Sequence, residues 1–140
     1  MRVLVIHGPN LNLLGERKPE VYGTQTLEQV DARIAQLAGE LKLEVLSVQH
    51  NSEGAIVDEL HAARGKYDAI IINPGAYTHY AYAIADAIEA IGIRVIEVHL
   101  SNIFARESFR RVSVVSAVCA GTISGFGVDS YLLALRAASR

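Results

Sequence analysis

Asp68-Ala69-Ile70-Ile71-Ile72-Asn73-Pro74-Gly75 is the stretch on which the reading of this chain turns. A short apolar run that reads as a buried β-strand meets at once a polar turn rich in Asn and Gly. The pattern recurs three times. Arg2-Val3-Leu4-Val5-Ile6 precedes His7-Gly8-Pro9-Asn10, Leu43-Glu44-Val45-Leu46-Ser47-Val48 precedes Gln49-His50-Asn51, and Ile93-Arg94-Val95-Ile96-Glu97-Val98 precedes His99-Leu100-Ser101-Asn102. In open α/β sheets the parallel strands share one carboxyl edge, and ligands bind in the crevice outside it. The polar groups that end the four runs therefore mark where chemistry is to be expected.

Helical segments separate these runs. Thr26-Leu27-Glu28-Gln29 has the form of a capping box, and Leu27, Val30, Ile34, Leu37, Ala38 and Leu41 then recur on one face at helical spacing. The pattern predicts a second helix over about residues 54–64, with Ile56, Val57 and Leu60 inward and Gly65 as its cap, and a third over about 80–90, capped at Gly92. Beyond strand four we expect a short helical stretch near 105–109, a fifth strand around 118–124 and a last helix over about 128–138. Alternating strands and helices joined by right-handed crossovers give an α/β fold. The expected architecture is a flavodoxin-like three-layer sandwich, a single domain over residues 1–140 whose five-stranded parallel sheet runs in the order 2-1-3-4-5. In that order the loops after His7 and Asn73 flank one crevice.

The bulk composition narrows the partners. Half of the 140 residues are hydrophobic, which argues against disorder, and a net charge of −2 with interspersed signs offers no footprint for nucleic acid or an anionic membrane. A small molecule is the expected partner. The single cysteine, Cys119, cannot close an intramolecular disulfide, no signal-peptide pattern precedes the first strand, and no apolar stretch approaches the ~20 residues of a membrane helix, so a cytoplasmic location is expected.

Several residues at the crevice can do chemistry. The long loop from Gly8 to Gly23 carries Arg17 and Tyr22 between candidate hinges at Gly15 and Gly23. A phenol is a poor base near neutrality, but a cation held close favours the phenolate, so the pair can form an activated base; solvated charges on a surface loop explain the same residues. Glu97, His99 and Ser101 are two apart and share a strand face, where a carboxylate fixes the imidazole tautomer and favours its charged form. This makes His99 a candidate proton donor, against the plainer reading of a hydrogen-bonded strand-end histidine. Asn73-Pro74-Gly75-Ala76-Tyr77-Thr78-His79 can hold a carboxylate or oxyanion, or be an ordinary βα turn. Arg106, Arg110 and Arg111 lie within reach of the crevice or on a solvated helix face, and Asp86 reads as a solvated helix residue.

Taken together the motifs resemble the type II 3-dehydroquinate dehydratases over nearly the whole chain. The matching stretches are Gly8-Pro9-Asn10-Leu11-Asn12-Leu13-Leu14-Gly15 with Arg17, Pro19, Tyr22 and Gly23, then Asn51-Ser52-Glu53-Gly54, Asn73 to His79, and Glu97-Val98-His99-Leu100-Ser101-Asn102 with Arg106 and Arg110. The resemblance implies dehydration of 3-dehydroquinate to 3-dehydroshikimate through an enolate, without metal or other cofactor. Tyr22 would be the base, assisted by Arg17; His99 would protonate the departing hydroxyl, oriented by Glu97; Asn10 would position a water against the enolate oxygen. Asn73, with Gly75 in its turn and the backbone of Leu100 and Ser101, would hold the substrate carboxylate, and His79 and Arg110 the ring hydroxyls. Arg106 belongs to the same set without a defined role. The resemblance also implies that Asp86 reaches a neighbouring subunit's site in a homododecamer built from trimers. Tyr80-Ala81 and His50 depart from the commoner residues of the family, and neither removes a catalytic group.

Two other classes are weighed. A metal hydrolase could draw on His7, His50, His79 and His99 near one sheet edge, although no compact ligand motif such as His-Glu-x-x-His occurs. A non-catalytic flavodoxin-like receiver or nucleotide-binding module would need an aspartate where Asn73 stands, or a Gly-rich phosphate loop after strand one, and has neither.

Overall fold

Five parallel strands, β1 (Arg2–His7), β2 (Glu44–Gln49), β3 (Ala69–Asn73), β4 (Arg94–His99) and β5 (Gly121–Ser124), form one sheet in the order β2-β1-β3-β4-β5 in the computed structural model, which describes residues 1–140. The helices are α1 (Pro19–Tyr22), α2 (Leu27–Glu40), α3 (Glu53–Ala62), α4 (Tyr82–Ile91) and α5 (Asp129–Ala138). Alternate strand residues face opposite layers. Val3, Val5, Ile71, Ile96 and Val98 pack with α2 and α5, whereas Leu4, Ile6, Ile70, Ile72 and Val95 pack with α3 and α4. The central strand β3 is buried along its whole length, as a strand covered on both faces must be.

Local chemistry explains the boundaries. Thr26 and Gln29 close the capping box reciprocally, with Thr26 Oγ1 accepting from the Gln29 N–H at 3.2 Å and Gln29 Oε1 from the Thr26 N–H at 2.9 Å. Gly92, at φ 68°, ends α4 in the left-handed conformation where a side chain is costly. The long loop after β1 has structure of its own: a 3₁₀ turn at Leu11–Leu13, anchored by buried Leu11 and Leu14, and α1, which opens on Pro19.

Three boundaries differ from expectation. Residues 75–79 wind into a 3₁₀ turn, so α4 begins at Tyr82 rather than near 80. The stretch near 105–109 is two 3₁₀ turns, Ile103–Ala105 and Ser108–Arg111, because Arg106 adopts an extended backbone at φ −108° and breaks the helix. The fifth strand starts at Gly121 rather than 118, because Ser113 Oγ accepts from the N–H groups of Val115 and Ser116 and leads the chain into a turn over Ser116–Val118.

One contact fixes how closely the crevice walls approach. The Gly8 N–H donates to the Asn73 carbonyl at 2.8 Å, and a Cβ at Gly8 would stand 2.6 Å from that oxygen. Gly8→Ala is therefore expected to push β1 and β3 apart at their carboxyl ends and lower stability by about 1–3 kcal/mol, as overpacking does. Gly39→Ala in α2, where an added methyl meets nothing within 4 Å, should be neutral or stabilising. Denaturant midpoints of the two variants check the contrast, and equal behaviour would contradict it.

Candidate active site

The crevice opens at the carboxyl ends of β1, β3 and β4. On the β1 side Asn10 sits at φ 68°, its N–H donating to Asn51 Oδ1 at 3.0 Å. Gln49 Nε2 donates to that same oxygen at 3.0 Å and to the Gly8 carbonyl at 3.1 Å, so the end of β2 braces the loop after β1. On the β3 side Asn73 is buried and its Oδ1 accepts from the Gly75 N–H at 3.1 Å. Gly75, at φ 59°, completes a turn whose backbone passes against Pro9.

At the end of β4 His99 Nε2 lies 2.5 Å from Glu97 Oε2. The Glu97 side chain has no exposed surface, and it is fully supplied with donors: Thr78 Oγ1 and Ser116 Oγ each at 2.6 Å, Ser113 Oγ at 3.0 Å, and the imidazole. Burial pushes this carboxyl up, but the hydrogen bond and charge of His99, with the hydroxyls of Ser116 and Thr78, outweigh it and hold Glu97 below its ordinary value. A carboxylate only accepts, so Nε2 carries a proton and Nδ1 is the nitrogen left for proton transfer.

Tyr22 closes the opposite wall. The Arg17 and Arg106 guanidinium carbons stand 4.7 Å and 5.0 Å from its ring centroid. Arg106 also donates to Ser101 Oγ at 3.4 Å, which joins the β4 loop to this cluster. Near the turn after β3, His79 Nδ1 donates to the Val112 carbonyl at 2.7 Å. Burial lowers its pKa, the Val112 bond works against this, and the charges of His99 and Arg110 add to the lowering. A neutral imidazole with Nδ1 occupied presents Nε2 as an acceptor. Arg110 is held by Glu107 at 2.7 Å.

The structure thus brings Asn10, Arg17, Tyr22, Asn73, Gly75, His79, His99, Leu100, Ser101, Arg106 and Arg110 around one cavity. Glu97 lies behind His99, outside the cavity wall. Asp86 is exposed on α4 and does not join this cavity. Thr78, Ser113 and Ser116 were given no role by the sequence reading. The signal that could have found them is Glu97, since an inward-facing carboxylate on a buried strand requires donors. The four strand-edge histidines take separate partners, His7 with Tyr131 and Asp31, His50 with Glu59, His79 with Val112 and His99 with Glu97, and no three His, Cys, Asp or Glu side chains converge as a ligand set.

Residues 1–139 match the family described as dehydroquinase class II. The chain is 58% identical over 139 residues to the 3-dehydroquinate dehydratase of Pelotomaculum thermopropionicum, a match covering 99% of this chain and 96% of that one. It superposes on the crystal structure of the type II dehydroquinase from Butyrivibrio crossotus with a TM-score of 0.98 and 44% identity, covering 100% of this chain and 98% of the other. The type II dehydroquinase from Propionibacterium acnes gives a TM-score of 0.95 at 45% identity over 99% and 95% of the two chains. Sequence and three-dimensional structure agree over the full length, and the chain belongs to the class II dehydroquinase family.

Proposed function

We propose that this chain is a hydro-lyase that converts 3-dehydroquinate to 3-dehydroshikimate by general acid–base chemistry, in the shikimate pathway or in quinate breakdown, in the cytoplasm. The observation that carries the reading is the juxtaposition of two proton-transfer groups across one crevice, Tyr22 beneath two guanidinium groups and His99 backed by buried Glu97. Tyr22, as phenolate, takes the proton next to the ketone, and the electron pair moves onto the carbonyl oxygen to form an enolate. Asn10 holds a water that donates to that oxygen. Collapse of the enolate expels the ring hydroxyl, to which His99 delivers a proton from Nδ1, so water leaves and a conjugated enone remains. Arg17 and Arg106 both stand over the Tyr22 ring and hold it in place, which gives Arg106 a positioning role beside Arg17. Asn73 and the backbone of Leu100 and Ser101 hold the substrate carboxylate. His79, through its free Nε2, and Arg110 hold ring hydroxyls. The steps need no metal or cofactor.

Asp86 supplies a carboxylate to a neighbouring copy's site in a homododecamer of trimers; its position on the exposed face of α4, outside its own cavity, fits that use.

The ultraviolet absorbance of the enone product gives a direct assay. Tyr22→Phe should lower kcat by roughly 10²- to 10⁴-fold with a far smaller change in KM, because the phenolic oxygen is needed only as the proton leaves. Near-normal turnover would remove Tyr22 from the base position. A mixture of Asp86→Ala and His99→Ala subunits, each inactive alone, should regain activity after verified subunit exchange; no regain would count against a shared site.

The Glu97 charge also has a stability signature. Its folded-state pKa lies below the ordinary 4.5, so its contribution is complete above that value and is lost as the pH falls through the folded one. The Tm of the wild type should therefore fall more steeply than that of Glu97→Gln below about pH 4.5, as differential scanning calorimetry would show. Parallel curves would mean that Glu97 folds with an unperturbed carboxyl.

A further inference from the structure

The polar group Gln49-His50-Asn51 closes β2 as other polar groups close β1, β3 and β4, yet the reaction as described makes no use of it. Neither Gln49 nor Asn51 lines the cavity, whereas Asn10 does. Both residues instead grip the backbone that carries Asn10. Asn51 Oδ1 accepts from the Asn10 N–H at 3.0 Å and from Gln49 Nε2 at 3.0 Å, and Gln49 Nε2 also donates to the Gly8 carbonyl at 3.1 Å. The backbone around Asn51 is itself pinned from two sides, because the His50 N–H donates to the His7 carbonyl at 2.9 Å and the Tyr77 hydroxyl donates to the Asn51 carbonyl at 2.8 Å. The end of β2 thus ties the loop after β1 to the turn after β3.

Backbone groups fix the direction of both side-chain amides. A backbone N–H only donates, so the Asn51 atom that meets Asn10 is the amide oxygen; that oxygen and the Gly8 carbonyl only accept, so the Gln49 atom that meets them is the amide nitrogen. Asn51 serves as an acceptor and Gln49 as a donor. Asn10 stands between them at φ 68° and ψ −2°, in the left-handed region that residues other than glycine seldom take. Its N–H is held there by Asn51, and its carbonyl accepts from the Leu13 N–H at 3.0 Å. A turn of this backbone to negative φ would re-aim the side chain that lines the cavity.

We propose that Asn51 and Gln49 are positioning residues that hold Asn10 in its left-handed conformation and so aim its side-chain amide into the crevice. The kinetic part of this inference rests on the water-holding role given to Asn10 above.

The test compares wild type with Asn51→Ala, Asn51→Asp, Gln49→Ala, Gln49→Glu, Asn10→Ala and the Asn10→Ala/Asn51→Ala double variant. Steady-state kinetics by the enone absorbance, Tm, and a crystal structure of Asn51→Ala are the measurements. Asn51→Ala should lower kcat roughly three- to tenfold with little change in KM, the size of one lost hydrogen bond whose donor can turn to water, because charge gathers on the enolate oxygen only as the proton leaves. Asn51→Asp keeps the acceptor and should keep kcat within about twofold of wild type. Gln49→Glu sets an acceptor against two acceptors and should lose at least as much as Gln49→Ala. In the Asn10→Ala background, Asn51→Ala should lower kcat no further. With Asn10→Ala shown to lower kcat, equal losses in Asn51→Ala and Asn51→Asp, a lowered Tm with unchanged kcat in Asn51→Ala, or losses that multiply in the double variant would each overturn the proposal. Should Asn10→Ala leave kcat unchanged, the water-holding role falls; the positioning then stands if Asn10 leaves the left-handed region in the Asn51→Ala crystal structure, and falls if it stays.

Discussion

The carboxylate of Glu97 is the group to which the site answers. A charge with no exposed surface must either be neutralised or be supplied with donors where it lies, and here donors come from three separate segments. Thr78 belongs to the turn after β3, His99 to β4, and Ser113 and Ser116 to the loop that precedes β5. The backbone follows the same lines, since the Val114 N–H donates to the Thr78 carbonyl at 2.8 Å and the Val112 carbonyl receives His79. Satisfying one buried charge therefore aligns His79 and His99, whose rings come from the turn after β3 and from the end of β4. The same charge acts on Cys119: burial, with Glu97 nearby, pushes that thiol up to about 12, which leaves it an unreactive, half-buried thiol packed against the core.

The opposite wall is built differently. No hydrogen bond holds the Tyr22 hydroxyl, and the ring is placed by two cations at its faces, contacts worth about 0.5–2 kcal/mol each. The segment that carries Arg17 and Tyr22 has φ values of 90° at Gly15, 38° at Lys18 and 88° at Gly23, so the chain turns sharply at both of its ends. His99 is thus fixed by a charge-assisted hydrogen bond in the core, while Tyr22 rides on a surface segment, its half-buried ring packed against the core and against two cations. The crevice between them has one wall tied to the buried Glu97 charge and one on a surface segment.

How far the sequence disclosed this follows from the range of the interactions. The four strand-and-turn repeats fixed the sheet and its order because a buried parallel strand declares itself within a handful of residues. Glu97 and His99 were legible for the same reason, a period of two along one strand. The remaining partners were not. Ser113 and Ser116 reach Glu97 across 16 and 19 residues, and Tyr131 reaches His7 across 124. No local pattern encodes such pairs, although an inward carboxylate and an inward histidine announce that partners must exist. The shifted boundaries near 80, 106 and 118 have the same origin. Ser113 Oγ turns the chain away from an early fifth strand while serving Glu97, so a tertiary demand overrides local propensity.

Strand periodicity also explains why the site lies at the edge and nowhere else. Ile72 pairs with Glu97 across β3 and β4, which puts Glu97 and His99 in the α3/α4 layer, while His7 pairs with Asn73 in the α2/α5 layer. Within the sheet these two polar systems are separated by the backbone, and a one-residue slip of any strand would exchange their faces. Beyond the last ladder bond the separation ends. His99, held from one layer, and Asn73, which faces the other, can then line a single crevice, which neither layer could supply alone.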